Sequence, residues 1–175
     1  MELTPVMQKY ILHWGEMGSR WGVNRTVAQI HALLYLAPEP MHAEEITETL
    51  GVARSNVSTS LKELQSWGLV KVSHVMGDRR DRFQSLHDLW ETFYVIIEER
   101  KRRELDPTLS TLRECMLEAD QDKSTPDDVI KKIENVLRFL EVLTKWYEQI
   151  RTIPHSALVK LLKMGSRITH FIGSK

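Results

Sequence analysis

Cysteine is almost missing from this 175-residue chain. Cys115 stands alone, so no internal disulfide can form and no cysteine metal cluster can be assembled within one chain. Its default role is a small apolar side chain in a helix; a redox-sensing thiol is the alternative, with only Arg113 near it in sequence to make its setting electropositive. Long apolar runs are lacking as well. No segment approaches the roughly 18 apolar residues of a membrane span, and Met1 to Tyr10 has neither the basic start nor the apolar run of a secretory signal, so a cytoplasmic protein without a membrane partner is expected. Catalytic signatures are also scarce. The seven His residues do not recur with metal-ligand spacing, no Gly-rich phosphate loop is present, and no Ser or Cys sits in a nucleophile motif. These absences argue against an enzyme, and no catalytic residue, metal site or cofactor is expected.

What is present is an ordinary proportion of core and charge, 42% hydrophobic and 27% charged, in a length suited to one domain plus an assembly region. The most informative stretch runs from Ala43 to Phe83. Ala43, Ile46 and Leu50 recur at helical spacing, Gly51 supplies a tight turn, and Ser55 can cap a second helix whose inward face is Val57, Leu61 and Leu64. Its outward face, Asn56, Ser58, Thr59 and Lys62, is polar. Trp67-Gly68 ends that helix, and Leu69 to His74 reads as a strand. Gly77-Asp78 marks a hairpin tip flanked by Arg79, Arg80 and Arg82, with a returning strand to Leu86. This is the pattern of a winged helix-turn-helix: a helix sized for the major groove followed by an arginine-tipped hairpin.

The balanced total of 24 bases and 24 acids hides a local surplus. Ala53 to Arg82 holds six Lys/Arg against three acids, whereas Met1 to Val52 holds three against six and Phe83 to Lys175 fifteen of each. Phosphate binding needs that local excess rather than a basic protein throughout. The competing reading is a small packed unit that binds no nucleic acid, since such folds also serve as protein-interaction modules.

Around this stretch the pattern is helical. Leu3, Met7, Tyr10, Trp14, Met17 and Trp21 make one apolar seam in a helix over Met1 to Gly18, which Gly18 and Gly22 are expected to end. Asn24 can cap the next helix, with Val27, Ile30, Leu34 and His31 inward, and Pro38 and Pro40 stop it. Beyond the hairpin, Leu86, Leu89, Trp90, Phe93, Ile96 and Ile97 share a face that runs into the mixed-charge run Glu98 to Glu104, read as solvated, with a second nucleic-acid contact as the alternative. Asp106-Pro107 reads as a cap and first helical position, so a new or kinked helix is expected there, carrying Leu109, Leu112, Met116 and Ala119 inward. Thr125 to Asp128 starts a helix with an unbroken heptad seam: Val129, Ile133, Val136, Leu140, Leu143, Tyr147 and Ile150. Leu137, Phe139, Val142 and Trp146 widen its apolar surface, which favours a bundle. After Pro154 a last stripe, Leu158, Leu161, Leu162, Ile168 and Phe171, is expected to pack on that bundle rather than lie on a membrane.

Three patterns carry a family resemblance: MGSRWGVNRTVAQIHALLYL, SNVSTSLKELQSWGLV and GDRRDRF. Through them the chain resembles the MarR-like winged-helix regulators, and within them the branch typified by the repressor of glycine-betaine synthesis. The resemblance spans Gly18 to about Arg103. It implies a homodimer with two winged heads, a dimer interface built by helices from both chain ends, and transcription repressed by blocking a promoter.

The expected architecture is therefore mainly α with a small β-wing. Residues 1–22 would be an N-terminal dimerisation helix, 23–86 the winged helix-turn-helix and 87–175 a helical dimerisation region. The expected function is a sequence-specific regulator of transcription that binds a palindromic operator in double-stranded DNA as a homodimer. Asn56, Ser58 and Thr59 would reach base edges, Ser55 and Lys62 would hold phosphates, and Arg79, Arg80 and Arg82 would approach the minor groove or backbone, with Arg54 beside them at the helix start. A small-molecule effector is left open. Trp14, Trp21, Trp90, Phe93 and Tyr94 could surround a quaternary ammonium, although each also fits an apolar helical seam.

Overall fold

The computed structural model describes residues 1–121 and 124–164. It divides into two compact units, one from Met1 to Ile97 and another beginning at Glu98.

The first unit opens with α1 (Pro5–Arg20), capped by Thr4, whose hydroxyl accepts from the Met7 amide at 3.3 Å, with Pro5 at a position where a missing N–H costs nothing. Its buried face is Ile11, Gly15 and Gly18. The aromatic seam lies to the side, with Trp14 40% and Trp21 52% exposed. Gly18 therefore does not end the helix as its sequence suggested. It lies inside α1 as a contact surface, because a Cβ there would fall 2.5 Å from the Cβ of Ala28 on α2 (Arg25–Leu36). Only glycine permits so close an approach of two helices. The turn between them is made by Gly22, at φ +75°, and by Asn24, whose side chain accepts from the Thr26 amide at 2.8 Å.

Val27, Ile30, Leu33 and Leu34 of α2 form the centre of the core, on which α3 (Ala43–Leu50) and α4 (Arg54–Ser66) place Ile46, Val57, Leu61 and Leu64. Gly51, at φ +63°, turns the chain between α3 and α4. Ser55 is not the cap of α4. Ala53 takes that position without a side-chain bond, and Ser55 falls one residue inside the helix. A short strand, β1 (Met41–His42), completes an antiparallel sheet of order β1-β3-β2 with β2 (Val70–Ser73) and β3 (Arg82–Ser85). Met41 pairs with Phe83 and Val72 with Phe83 on the other side, so the returning strand is central. The two-residue β1 was not visible in the sequence; it is too short to show alternation and exists through its partner. α5 (Leu89–Arg100) leaves this unit, with Val95 and Ile96 packed against the core.

In the second unit a new helix begins at Asp106-Pro107 as expected, with the proline in its first turn, but Asp106 is not its cap. Asp106 is helical (φ −62°, ψ −43°), and helix continues through a π-turn, Lys101–Leu105, into α6 (Asp106–Ala119). Proline cannot donate to the carbonyl four residues back, and a widened turn absorbs the misfit. The Asp106 carboxylate accepts from Lys101 Nζ at 2.8 Å instead of capping. α6 packs on α7 (Asp127–Arg151), and Arg113 Nη2 meets Glu141 across them at 2.9 Å. The heptad seam of α7 is divided between two environments: Ile133, Leu140, Tyr147 and Ile150 are half-buried, whereas Val136 and Leu143 are exposed beside Phe139, Val142 and Trp146. No residue of this 25-residue helix is fully buried. α8 (His155–Met164) buries Leu158 and exposes Leu161 and Leu162; Ile168 and Phe171 lie outside the described residues. No described helix is long and apolar enough to cross a membrane.

Candidate nucleic-acid interface

Helix α4 buries Val57, Ser60, Leu61 and Leu64, and this fixes what it shows outward. Arg54, Ser55, Asn56, Ser58, Thr59 and Lys62 are all exposed, as the 3.6-residue period requires once the core face is chosen. Ser58 and Lys62, one turn apart, face a groove of about 390 Å³ between α4 and the hairpin. Arg54, Arg79 and Arg80 line the same groove. Ser55, Asn56, Thr59 and Arg82 are not part of its wall; the first three lie on the neighbouring open surface of α4.

The three hairpin arginines, alike in sequence, differ in structure. Arg80 donates from Nε and Nη2 to the two Asp78 carboxylate oxygens, each at 3.0 Å, and its amide donates to the same group at 3.1 Å. These bonds from Arg80 hold the Asp78 carboxyl well below the usual carboxylate range, with the charge of His42 adding a lesser effect. Arg82 Nη2 approaches the same carboxylate at 3.6 Å, and its Nε is buried. Arg79 is exposed, with no acidic partner among the described residues, and the same holds for Lys62. Arg54 meets Glu44 at 2.8 Å, but both side chains are largely solvated, so the pair is worth little against a phosphate.

Two further residues shape the interface and were not singled out in the sequence. His42, 3% exposed, precedes α3; its amide donates to Glu45 Oε2 at 2.7 Å. Its ring contacts the Asp81 carbonyl through Nδ1 at 3.1 Å and the Asp78 carboxylate through Nε2 at 3.4 Å. Asp78 had been read only as a turn residue. The spacing of His42 and Glu45 could have shown the helix start, as in a capping box, but nothing local points from His42 to Asp78.

Away from this face, Trp90, Phe93 and Tyr94 come together at the start of α5 with ring centroids 5.9 to 6.4 Å apart. Trp14 has Tyr10 at 5.9 Å and His13 at 6.4 Å as ring neighbours. No group of three or more His, Cys, Asp or Glu with metal-binding geometry occurs among the described residues.

The sequence model of the MarR family matches residues 21–81, from the end of α1 through the hairpin arginines. Over these residues the chain is similar to the MarR family. This family comprises regulators of transcription, not enzymes. A curated relative, the HTH-type transcriptional repressor GbsR of Bacillus subtilis, is 22% identical over 142 residues, covering 75% of this chain and 78% of that protein. The crystal structure of a transcriptional regulator aligns with 83% of this chain and 95% of its own at 18% identity and a TM-score of 0.60, a likeness of fold. The zinc-responsive MarR family member ZitR of Lactococcus lactis is 25% identical over 71% of this chain and 76% of its own, at a TM-score of 0.35, and adds no weight.

Proposed function

We propose that this protein is a cytoplasmic transcriptional repressor of the MarR type that binds a palindromic operator as a homodimer. The observation that carries the DNA reading is the juxtaposition of Lys62 and Arg79, two cations with no acidic partner among the described residues, on the α4 and hairpin sides of one groove. Cations already neutralised inside the protein release few counterions from DNA; unpaired ones release about one each. In this reading α4 enters the major groove, Asn56, Ser58 and Thr59 meet base edges, and Ser55, Lys62 and Arg79 hold phosphates. Arg80 and Arg82 shape the hairpin through Asp78, and Arg54 adds a peripheral contact. Repression is supported by the relationship to GbsR.

Homodimerisation through residues 1–22 and 87–175 is supported by the apolar surface of α7, where Phe139, Val142 and Trp146 are each about 60% exposed. Apolar area of this extent on a monomer marks an association site. A small-molecule effector belongs to the same reading, with the Trp90, Phe93 and Tyr94 cluster as the place to seek an organic cation.

Selection of bound duplexes from a random pool tests the proposal. A recovered palindrome with half-sites about 10 base pairs or a multiple apart, bound with steep salt dependence, is the expected result. Failure to retain any duplex at low salt would overturn it.

A further inference from the structure

The hairpin apex is apolar in surroundings that are otherwise charged. The Asp78 amide donates to the Val75 carbonyl at 3.0 Å, closing a turn in which Gly77 adopts φ +87°. Met76 at the apex is 102% exposed and Val75 48%. An exposed methionine alone means little. This one sits on a braced turn, because Asp78 is held by Arg80 and His42, and it is followed three positions later by the unpaired Arg79. A cation beside an apolar tip, on the side of the molecule that carries the basic groove, suits a polyanion with an apolar recess rather than open solvent.

We propose that Met76 is a specificity-determining residue that enters the minor groove of the bound duplex, packing its side chain on base-pair edges while Arg79 holds an adjacent phosphate. The inference rests on the DNA-binding reading above. Apolar side chains, methionine among them, recur as minor-groove wedges. The floor of that groove bears only acceptors at A·T pairs, whereas G·C adds the guanine 2-amino group. Met76 cannot accept a hydrogen bond in the way that amino group requires and collides with it. The structure thereby assigns the wing a preference for A·T pairs that does not depend on the bases read by α4.

The full chain and a duplex selected by it serve as the test, with the wing-protected base pairs located by minor-groove footprinting and then set to A·T, G·C or inosine·C. Inosine lacks the 2-amino group. The wild type should bind the A·T and inosine duplexes alike and the G·C duplex about tenfold more weakly. Met76→Ala should weaken the A·T complex by about tenfold and abolish the discrimination with the salt slope unchanged, while Met76→Leu keeps both. Arg79→Ala should lower the salt slope by about one and leave the discrimination intact. Because Met76 is fully solvated, its variants should fold as the wild type does, which circular dichroism verifies. If Met76→Ala bound as the wild type does, or lost affinity equally for all three duplexes, this inference would fail while the DNA-binding reading stood. A wild type that bound no duplex would remove both.

Discussion

His42 Nε2 lies 3.4 Å from the Asp78 carboxylate, joining the residue before α3 to the turn at the hairpin tip. The same ring touches the Asp81 carbonyl at 3.1 Å, and Asp78 in turn orders Arg80. One buried side chain therefore holds the wing to the helix-turn-helix it must act with. Replacing Asp78 by Asn keeps the shape and removes the charge. We expect Asp78→Asn to weaken DNA binding by roughly tenfold, as Arg80 swings free and the wing loses its set, with little change in the thermal midpoint. Affinity measured by anisotropy beside a melting curve checks this; an unchanged affinity would show that the wing orders itself without the clamp.

The close contact of α1 with α2 gives a second expectation. Gly18→Ala places a Cβ 2.5 Å from that of Ala28, and a Cβ is fixed to its helix backbone, so no side-chain rotation relieves the clash. Its cost should be about 1–3 kcal/mol despite alanine's better helix propensity. Adding Ala28→Gly should recover much of the loss. Gly15→Ala meets the long, flexible side chains of Gln29 and Arg25 rather than a fixed Cβ and should be close to neutral or stabilising. Urea midpoints of the three variants and the wild type decide; equal effects at positions 15 and 18 would contradict the packing argument.

Stability should also fall at mildly acid pH through His31. Its imidazole is partly buried against β3, where the Ser85 hydroxyl donates to the Leu86 carbonyl and lies 3.2 Å from His31 Nε2. Burial lowers the pKa from 6.5 to about 4. The unfolded chain therefore binds the proton more readily. This contribution is complete above pH 6.5 and is lost as pH falls toward 4, on the order of 3 kcal/mol in all. His31→Gln should flatten that part of the stability profile relative to the wild type, leaving the carboxylate titrations at lower pH in place.

The exposed face of α7 yields the assembly prediction. Phe139→Lys with Trp146→Lys should convert a dimer of twice 20.4 kDa into a monomer by light scattering. Specific operator affinity should drop by a factor of 100 or more, since one winged head reads only a few base pairs, while weak salt-sensitive binding persists. A wild type that is monomeric at micromolar concentration would refute the dimer, whatever the variant does.

Much of the winged domain was legible without coordinates. Asn24, Gly51 and Gly68 are local signals, set by the backbone conformation of a few neighbouring residues, and Val57, Leu61 and Leu64 choose the core face of α4 by period alone. Once that face is chosen the exposure of Asn56, Ser58, Thr59 and Lys62 follows geometrically. What period and propensity could not show are relationships between distant segments. Gly18 looked like a terminator because sequence does not reveal the second helix that needs its missing Cβ. Asp106-Pro107 marked the new helix, but the widened turn that joins it to the helix before has no signature of its own. Arg79, Arg80 and Arg82 looked equivalent, and only the folded hairpin, by bringing Asp78 to two of them, leaves the third uncompensated. The α7 seam was a correct reading of period with an incomplete meaning: the helix packing on α6 covers part of the apolar surface, and what remains exposed depends on where that partner sits. Local conformation is encoded by short-range sterics and hydrogen bonding; which charges are neutralised and which apolar faces stay open is decided by contacts between residues far apart in the chain.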